Sequence, residues 1–270
     1  METLATSSVY ESPRTTSYPG RRVWRWLAAA TVLGNIVLNY YANARPFNGQ
    51  SMGAVSAQYP TLLTPAGYAF SIWGLIFLGL TAYAGWQLLP AQRHKTLPDA
   101  VARPLTLASV ATAAWVVLFA YEQILLSVFT MLVILGALIL VYGRARRRVL
   151  AQEAPRWVSL PFALYLGWIS VATTINLTIG MQQLGWRPAE NVSVLLTLVL
   201  LAVVTVLGLL VSRQFREVAF PLVVAWALIA IWVARRATYP ELGWAPVAGA
   251  VVVSLGGFVL ASRHRRAAGV

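Results

Sequence analysis

The stretch YPTLLTPAGYAFSIW, residues 59–73, marks the place where the chain passes from a proline-containing loop into a long apolar segment. Pro60 and Pro65 favour an extended approach to that segment, because proline fixes φ and lacks the N–H that a helix interior needs. Four aromatic residues lie in the stretch, at positions 59, 68, 70 and 73. They could form a belt at the membrane surface or the mouth of a binding site.

Composition decides the class of protein. The chain has 270 residues, of which 59% are hydrophobic and 11% are charged, whereas a soluble domain averages about 45–50% apolar and about 25% charged residues. Because backbone polar groups in lipid must bond internally, apolar segments of this length are expected to be helices. We therefore predict an all-α fold, a polytopic membrane helix bundle.

Hydropathy predicts about eight transmembrane helices, which places both termini on one side. Residues 1–22 are rich in Ser, Thr and Pro and predict a disordered tail, and residues 263–270 form a basic tail. The first segment could also be the core of a cleaved signal peptide, with a small-x-small site at residues 42–44, but the segments that follow favour an uncleaved helix. The predicted spans are approximately 26–41, 65–89, 104–121, 124–143, 157–181, 192–211, 218–234 and 244–261.

The basic residues orient the bundle by the positive-inside rule. With a cytoplasmic N-terminus, 17 of the 21 Lys and Arg residues face inward, and the outward ones are Arg45, Arg187, Arg235 and Arg236. We expect an integral protein of a bacterial inner (cytoplasmic) membrane with both termini cytoplasmic. The net charge of +13 then reflects topology and attraction to anionic lipids at the cytoplasmic face, and not nucleic-acid binding.

Several kinds of chemistry lack the residues they need. All eight acidic residues fall in predicted tails, loops or turns, whereas proton-coupled carriers usually hold a carboxylate in mid-membrane. His94 and His264 lie in basic segments, so no buried histidine is expected to ligate a metal or haem iron. The chain has no cysteine and no glycine-rich phosphate loop. Whether the protein is an enzyme is uncertain, and a non-catalytic protein is the stronger expectation.

Three tryptophans do not fit an interfacial belt. At ~1.5 Å of rise per residue, Trp73 and Trp115 lie roughly 10 Å below the outer surface, and Trp168 lies deeper. Asn39 and Asn176 are expected in the same outer half of the membrane. Amides within a membrane either join helices or face a cavity, because an unpaired amide in lipid is costly. Spacing alone supports helix packing and a ligand pocket equally.

These stretches resemble a known family. YPTLLTPAGYAFSIWGLIFL is similar to the segment that leads into the second helix of the TspO/MBR family, the tryptophan-rich sensory or translocator proteins; Pro65, Tyr68, Phe70 and Trp73 match its order. WVVLF, residues 115–119, resembles the third-helix motif, and WISVATTIN, residues 168–176, fits the fifth-helix spacing of Trp, Ala and Asn.

The resemblance covers about residues 23–181, with departures. Tyr68 stands where the family often has Trp, Ala66 replaces a second proline, Thr112 replaces an Asn and Val116 replaces a Ser. The last three predicted helices have no counterpart in a five-helix family member. We therefore interpret residues 23–181 as a TspO-like five-helix module and residues 182–262 as a three-helix membrane extension.

The resemblance implies a membrane-embedded small-molecule binding protein. Family members bind tetrapyrroles such as protoporphyrin, and some bind sterols, in a pocket under the loop between the first two helices; they often form homodimers. No cofactor is required, and the expected ligand is a porphyrin or a similar flat, apolar molecule, bound for sensing, transport or disposal. We also predict that Arg45 binds the ligand, because its position near the outer mouth would let it pair with a propionate. The predicted ligand-binding residues are Asn39, Arg45, Tyr68, Phe70, Trp73, Trp115, Phe119, Trp168 and Asn176.

Two alternatives remain open. The eight helices could form a transporter or scaffold for a lipid-like substrate, with the aromatic residues serving as packing. A cavity lined by the last three helices, together with Trp73 turned out to the lipid, would favour that hypothesis. The second alternative is light-dependent porphyrin degradation, with tryptophans as the redox-active groups.

Overall fold

The computed structural model describes residues 19–59, 61–240 and 242–266. The described residues form helices and no strand, which confirms the predicted all-α class. Three short 3-10 helices, Gly67–Ser71, Pro90–Gln92 and Arg156–Ser159, lie before α3, α4 and α6. The α-helices in chain order are α1 (Pro19–Ala44), α2 (Met52–Gln58), α3 (Ile72–Leu88), α4 (Thr96–Ala120), α5 (Ile124–Leu150), α6 (Leu160–Gln183), α7 (Glu190–Phe215), α8 (Ala219–Arg235) and α9 (Ala245–Arg266).

Each of the eight predicted segments corresponds to one long helix, whereas α2 was not predicted. Among the described helices, six are long and apolar enough to cross a membrane. Helix α8 is apolar but has 17 residues. Helix α1 is less apolar, because Arg25, Asn35 and Asn39 lie within it. The chain is thus a polytopic helical bundle, and the spanning of the membrane by α1 and α8 stays a prediction.

Two predicted boundaries shift at the termini. Residues 19–22 of the predicted N-terminal tail are the first turn of α1, and α9 continues through the first residues of the predicted basic tail. Residues 1–18 and 267–270 lie outside the described part of the chain, as do Pro60 and Glu241. The described acidic residues lie at helix ends or between helices, as predicted.

Helix α6 is the centre of the bundle. Every residue from 161 to 171 is buried, and α6 packs against α3, α5 and α8. The crossing with α8 is close, because a Cβ added at Gly167 would lie 3.0 Å from the Cβ of Val223. One continuous apolar core therefore joins α1, α3, α4, α5 and α6 to α7, α8 and α9.

Buried polar contacts fix the end of the bundle at which α1 begins. The Arg25 guanidinium donates to the Asp99 carboxylate at 2.6 Å and to the Gln92 carbonyl at 2.7 Å, which ties α1 to the start of α4. Pro104 lies inside α4 and cannot donate to the Ala100 carbonyl. Arg144 of α5 donates to that carbonyl at 2.8 Å instead, so the proline is tolerated.

Candidate functional site

The opposite end of the bundle encloses a cavity of about 540 Å³. It lies between α1, α3, α4, α5 and α6, beneath α2 and the loop that carries it. Its volume is in the range of about 300–1,000 Å³ that is usual for ligand pockets. The lining residues are Asn39, Tyr40, Asn43, Ser51, Met52, Gly53, Ser56, Pro65, Gly67, Phe70, Ser71, Trp73, Gly74, Phe77, Thr112, Trp115, Phe119, Met131, Ile134, Trp168, Ile169, Ala172, Ile175, Asn176 and Ile179.

Seven of the nine predicted ligand-binding residues line this one cavity. They come from four separate segments of the chain, and they are Asn39, Phe70, Trp73, Trp115, Phe119, Trp168 and Asn176. Arg45 and Tyr68 do not line it. The depth count and the resemblance together thus selected residues that mostly lie around one cavity, and their role in binding stays a prediction.

Aromatic rings from α3, α4 and α6 form the walls. Trp115 and Phe119 are four residues apart on α4, and their rings stack with centroids 4.9 Å apart and planes 14° apart. Phe70 meets Trp168 edge to face at 5.7 Å. The Trp73 ring lies 5.6 Å from Tyr165, also edge to face. Packing of each ring against another holds the walls in defined orientations.

Hydroxyl and amide groups lie between the rings. Thr112, at the position where the resemblance led us to expect Asn, donates to the Ala108 carbonyl at 2.8 Å, so its oxygen is left to accept a hydrogen bond from the Tyr165 hydroxyl, which it contacts. Asn176 is paired with Ser127 of α5. Thr112 and Asn176 are therefore already bonded within the protein.

Asn39 keeps an unused acceptor. Its amide nitrogen donates to the carbonyl of Asn35 at 2.9 Å and to the Asn35 side-chain oxygen at 3.0 Å. Its own side-chain oxygen has no partner among the described residues, and it is available to a ligand that donates a hydrogen bond. The Trp115 indole N–H is also buried and has no hydrogen-bond partner among the described residues.

No described lining residue is charged. Among the described residues, no group of three or more His, Asp or Glu side chains comes together as a metal site would require. The cavity therefore suits an apolar or aromatic molecule with few polar groups. A charged group on such a molecule would have to remain at the mouth, where it keeps contact with water.

Helix α2 covers the cavity. Ser51 caps its first turn by accepting a hydrogen bond from the Ala54 N–H at 3.2 Å. Met52 and Val55 pack on the ends of α4, α5 and α6, and Ser56, one turn after Met52, also lines the cavity. We call α2 the lid; directly after it, the Tyr59 hydroxyl donates to the Glu122 carboxylate at 2.9 Å. Burial, and then this bond to a carboxylate, raises the pKa of Tyr59.

A family model described as TSPO-like protein matches residues 25–259. The chain belongs to the TSPO-like protein family. Comparisons with curated proteins and with solved structures gave no match. The family and the apolar helices together indicate an integral membrane protein that binds a ligand, in the broad sense. The matched range includes α7, α8 and α9, so the family pattern extends beyond the five-helix resemblance; the proposed division at residue 182 stays an interpretation.

Helix α8 holds the segment that joins the lid of this TSPO-like protein to α3. The Ala66 N–H donates to the Ala230 carbonyl at 3.0 Å, and the Trp226 indole N–H donates to the Ala69 carbonyl at 3.1 Å. Arg235 donates to the Thr61 carbonyl at 2.8 Å. We call Trp226, Ala230 and Arg235 the α8 clasp.

The α8 clasp explains the position of Tyr68. Its ring meets Trp226 edge to face at 5.2 Å and is therefore turned to α8 and not to the cavity. In this TSPO-like chain the aromatic residue at 68 holds the segment 61–69 in place. The sequence did not predict this ring contact, since a contact between residues more than 150 positions apart leaves no local pattern.

The cavity of the TSPO-like protein opens between α1 and α3. Its exposed lining residues on this side include Tyr40, Ser71 and Gly74. The Tyr40 ring crosses the gap and lies 5.9 Å from the Phe77 ring. Tyr40, Phe77 and the lid residues Met52 and Ser56 were not among the predicted site residues. Arg45 follows α1 and is exposed, two residues beyond Asn43, which lines the cavity.

Proposed function

We propose that this TSPO-like protein binds a flat, largely apolar small molecule, a porphyrin or a molecule of similar shape, in the cavity beneath α2. Binding would serve sensing, transport or disposal of that molecule. The observation that carries the proposal is that Trp73, Trp115 and Trp168, from three different helices, line one cavity of about 540 Å³. Indole faces stack on planar conjugated ligands, each contributing roughly 0.5–1.5 kcal/mol beyond burial.

The polarity of the cavity supports the same class of ligand. The free side-chain oxygen of Asn39 could accept a hydrogen bond from a ring N–H. Carboxylates such as propionates would remain at the opening, because no described lining residue is charged. Arg45 is the cation proposed to meet them there. It is exposed, so this ion pair would contribute little, on the order of 0–1 kcal/mol.

The last three helices contribute no described residue to this cavity. That arrangement supports a binding site within the first six α-helices over a transport route lined by α7–α9. We place the protein in a bacterial inner membrane with both termini in the cytoplasm, in keeping with the positive-inside count. In this orientation α2 lies on the outer side. A homodimer remains part of the proposal through the family resemblance.

Titration with protoporphyrin, followed by the shift of its main absorbance band, tests the proposal on purified protein. Trp73→Leu combined with Trp115→Leu removes two indole faces. We expect this double variant to bind protoporphyrin at least roughly tenfold more weakly than the wild type does. Trp26→Leu combined with Trp186→Leu is the matched control, because both indoles are exposed and outside the cavity. The proposal fails if the wild type does not bind or if both pairs weaken binding equally.

A further inference from the structure

A second cavity, of about 320 Å³, lies at the other end of the bundle. It is formed where α5, α7 and α9 end and where α6 and α8 begin, so it lies at the level of the membrane surface. It shares no residue with the cavity beneath α2. Its lining residues are Arg146, Arg156, Trp157, Leu160, Arg216, Glu217, Val218, Phe258, Ala261 and Ser262.

One arginine in this cavity has a structural role. Arg146 is buried and donates to the carbonyls of Phe215 and Arg216 at 2.8 and 2.7 Å, where α7 ends. It also lies 3.4 Å from the carboxylate of Glu217. That carboxylate accepts hydrogen bonds from two N–H groups at the start of α8. The charges of Arg146 and Glu217 are thus balanced within the protein.

Two further arginines are not balanced. The side chains of Arg156 and Arg216 are exposed and form no hydrogen bond or ion pair with any described residue. The backbone of Arg216 is fixed in the left-handed region, at φ 52°, with its N–H bonded to the Ser212 carbonyl at 2.9 Å. Glycine is the usual residue at such a helix end. An arginine is held there instead, with its carbonyl bonded by Arg146, and it lines the cavity.

The remaining wall is apolar. The same cavity is lined by Trp157, in the 3-10 helix before α6, by Leu160, the first residue of α6, and by Phe258 of α9, and all three are exposed. The cavity therefore offers two uncompensated guanidinium groups and an apolar surface beside them. A phosphate matches the first, because guanidinium groups bind its oxygens by paired, charge-assisted hydrogen bonds. An acyl chain matches the second.

We infer that this cavity binds one anionic phospholipid, with its phosphate on Arg156 and Arg216 and an acyl chain along Trp157, Leu160 and Phe258. The inference stands apart from the ligand proposed for the cavity beneath α2. It goes beyond a general attraction of basic residues to anionic lipid, since it assigns the lipid to one place. Substitution of neighbouring arginines outside the cavity should therefore change the binding of this lipid little.

Native mass spectrometry of the purified protein with added phosphatidylglycerol tests this inference. We expect one retained lipid on the wild type and at least about a tenfold loss of that species when Arg156→Gln and Arg216→Gln are combined. The matched control combines Arg147→Gln with Arg213→Gln, which removes the same charge from exposed positions on the ends of α5 and α7 that do not line the cavity. The control should retain the lipid.

Three results would overturn the assignment. They are equal loss in both double variants, retention by the Arg156/Arg216 variant, and displacement of the lipid by inorganic phosphate alone, which would mean that the anion and not the lipid is recognised. Phosphatidylcholine should bind more weakly than phosphatidylglycerol. Phe258→Gln should also weaken binding, because it removes the apolar contact while leaving both arginines. Helix content by circular dichroism identifies any variant that fails to fold.

Discussion

The α8 clasp makes a quantitative prediction about the segment that joins the lid to α3. Trp226→Phe removes the indole hydrogen bond to the Ala69 carbonyl but keeps an aromatic ring against Tyr68. A net hydrogen bond of this kind contributes about 0.5–1.5 kcal/mol, and a bond from a charged donor contributes about 1.5–3 kcal/mol. Arg235→Gln removes the second kind, to the Thr61 carbonyl.

The two changes together should destabilise the closed segment by about 2–4 kcal/mol. At ~1.4 kcal/mol per factor of ten, the equilibrium constant for opening the segment then rises roughly 30-fold or more. Hydrogen exchange measured by mass spectrometry on peptides covering residues 61–71 reports that opening, because the Ala66 N–H is bonded to the Ala230 carbonyl. The double variant should exchange there much faster, with little change in α4 and α5.

Trp232→Phe is the control for this experiment. Trp232 lies on the same helix, but its ring contacts Trp244 and Arg236 and not the segment 61–69. Unchanged exchange in the double variant, or equal acceleration in the control, would refute the assignment of the α8 clasp. If the clasp holds the lid, the double variant should also bind protoporphyrin more weakly.

Three further predictions concern other parts of the structure. Arg25→Gln leaves the mostly buried Asp99 without its partner, and we expect the free energy of unfolding to fall by about 3 kcal/mol or more, seen as a lower midpoint of thermal unfolding. Arg22→Gln, on the exposed first turn of α1, should change that midpoint little. Gly167→Leu should disrupt the crossing of α6 and α8 and lower the same midpoint, and Gly136→Ala, with open space around it, should not. Because the pKa of Tyr59 is raised in the folded protein, its contribution to lid stability is present below about pH 10 and is lost as the pH rises through the folded-state pKa. The protection of residues 52–59, which is the intrinsic exchange rate at the same pH divided by their observed rate, should fall there in the wild type, and it should not show this fall in Tyr59→Phe.

The sequence predicted the parts of the structure that depend on local pattern. Apolar length predicted all eight long helices, and the rise per residue placed Trp73 and Trp115 below the outer surface with Trp168 deeper; all three line one cavity. The substitution of Asn by Thr at position 112 did not disturb this, because the threonine hydroxyl bonds to Tyr165 within the cavity wall.

The sequence did not predict one short helix, nor the contacts between residues that are far apart in the chain. Helix α2 has seven residues with Gly53 in its first turn, too few for a clear helical pattern, and it depends on packing over α4, α5 and α6. Tyr68 was expected in the cavity from its place in the motif. It faces Trp226 instead, and that pairing depends on where α8 lies in the folded chain.

The central claim is that a planar ligand occupies the cavity beneath α2, and a variant that fills this cavity tests it most directly. Ala172 lines the cavity from α6, so Ala172→Trp should place an indole where the ligand would lie. Leu177→Trp adds the same group to an exposed position on the same helix. In a protoporphyrin titration, the wild type and Leu177→Trp should bind one porphyrin per chain, and Ala172→Trp should bind at least about tenfold more weakly with unchanged helix content. Equal binding by Ala172→Trp and the wild type would contradict the account.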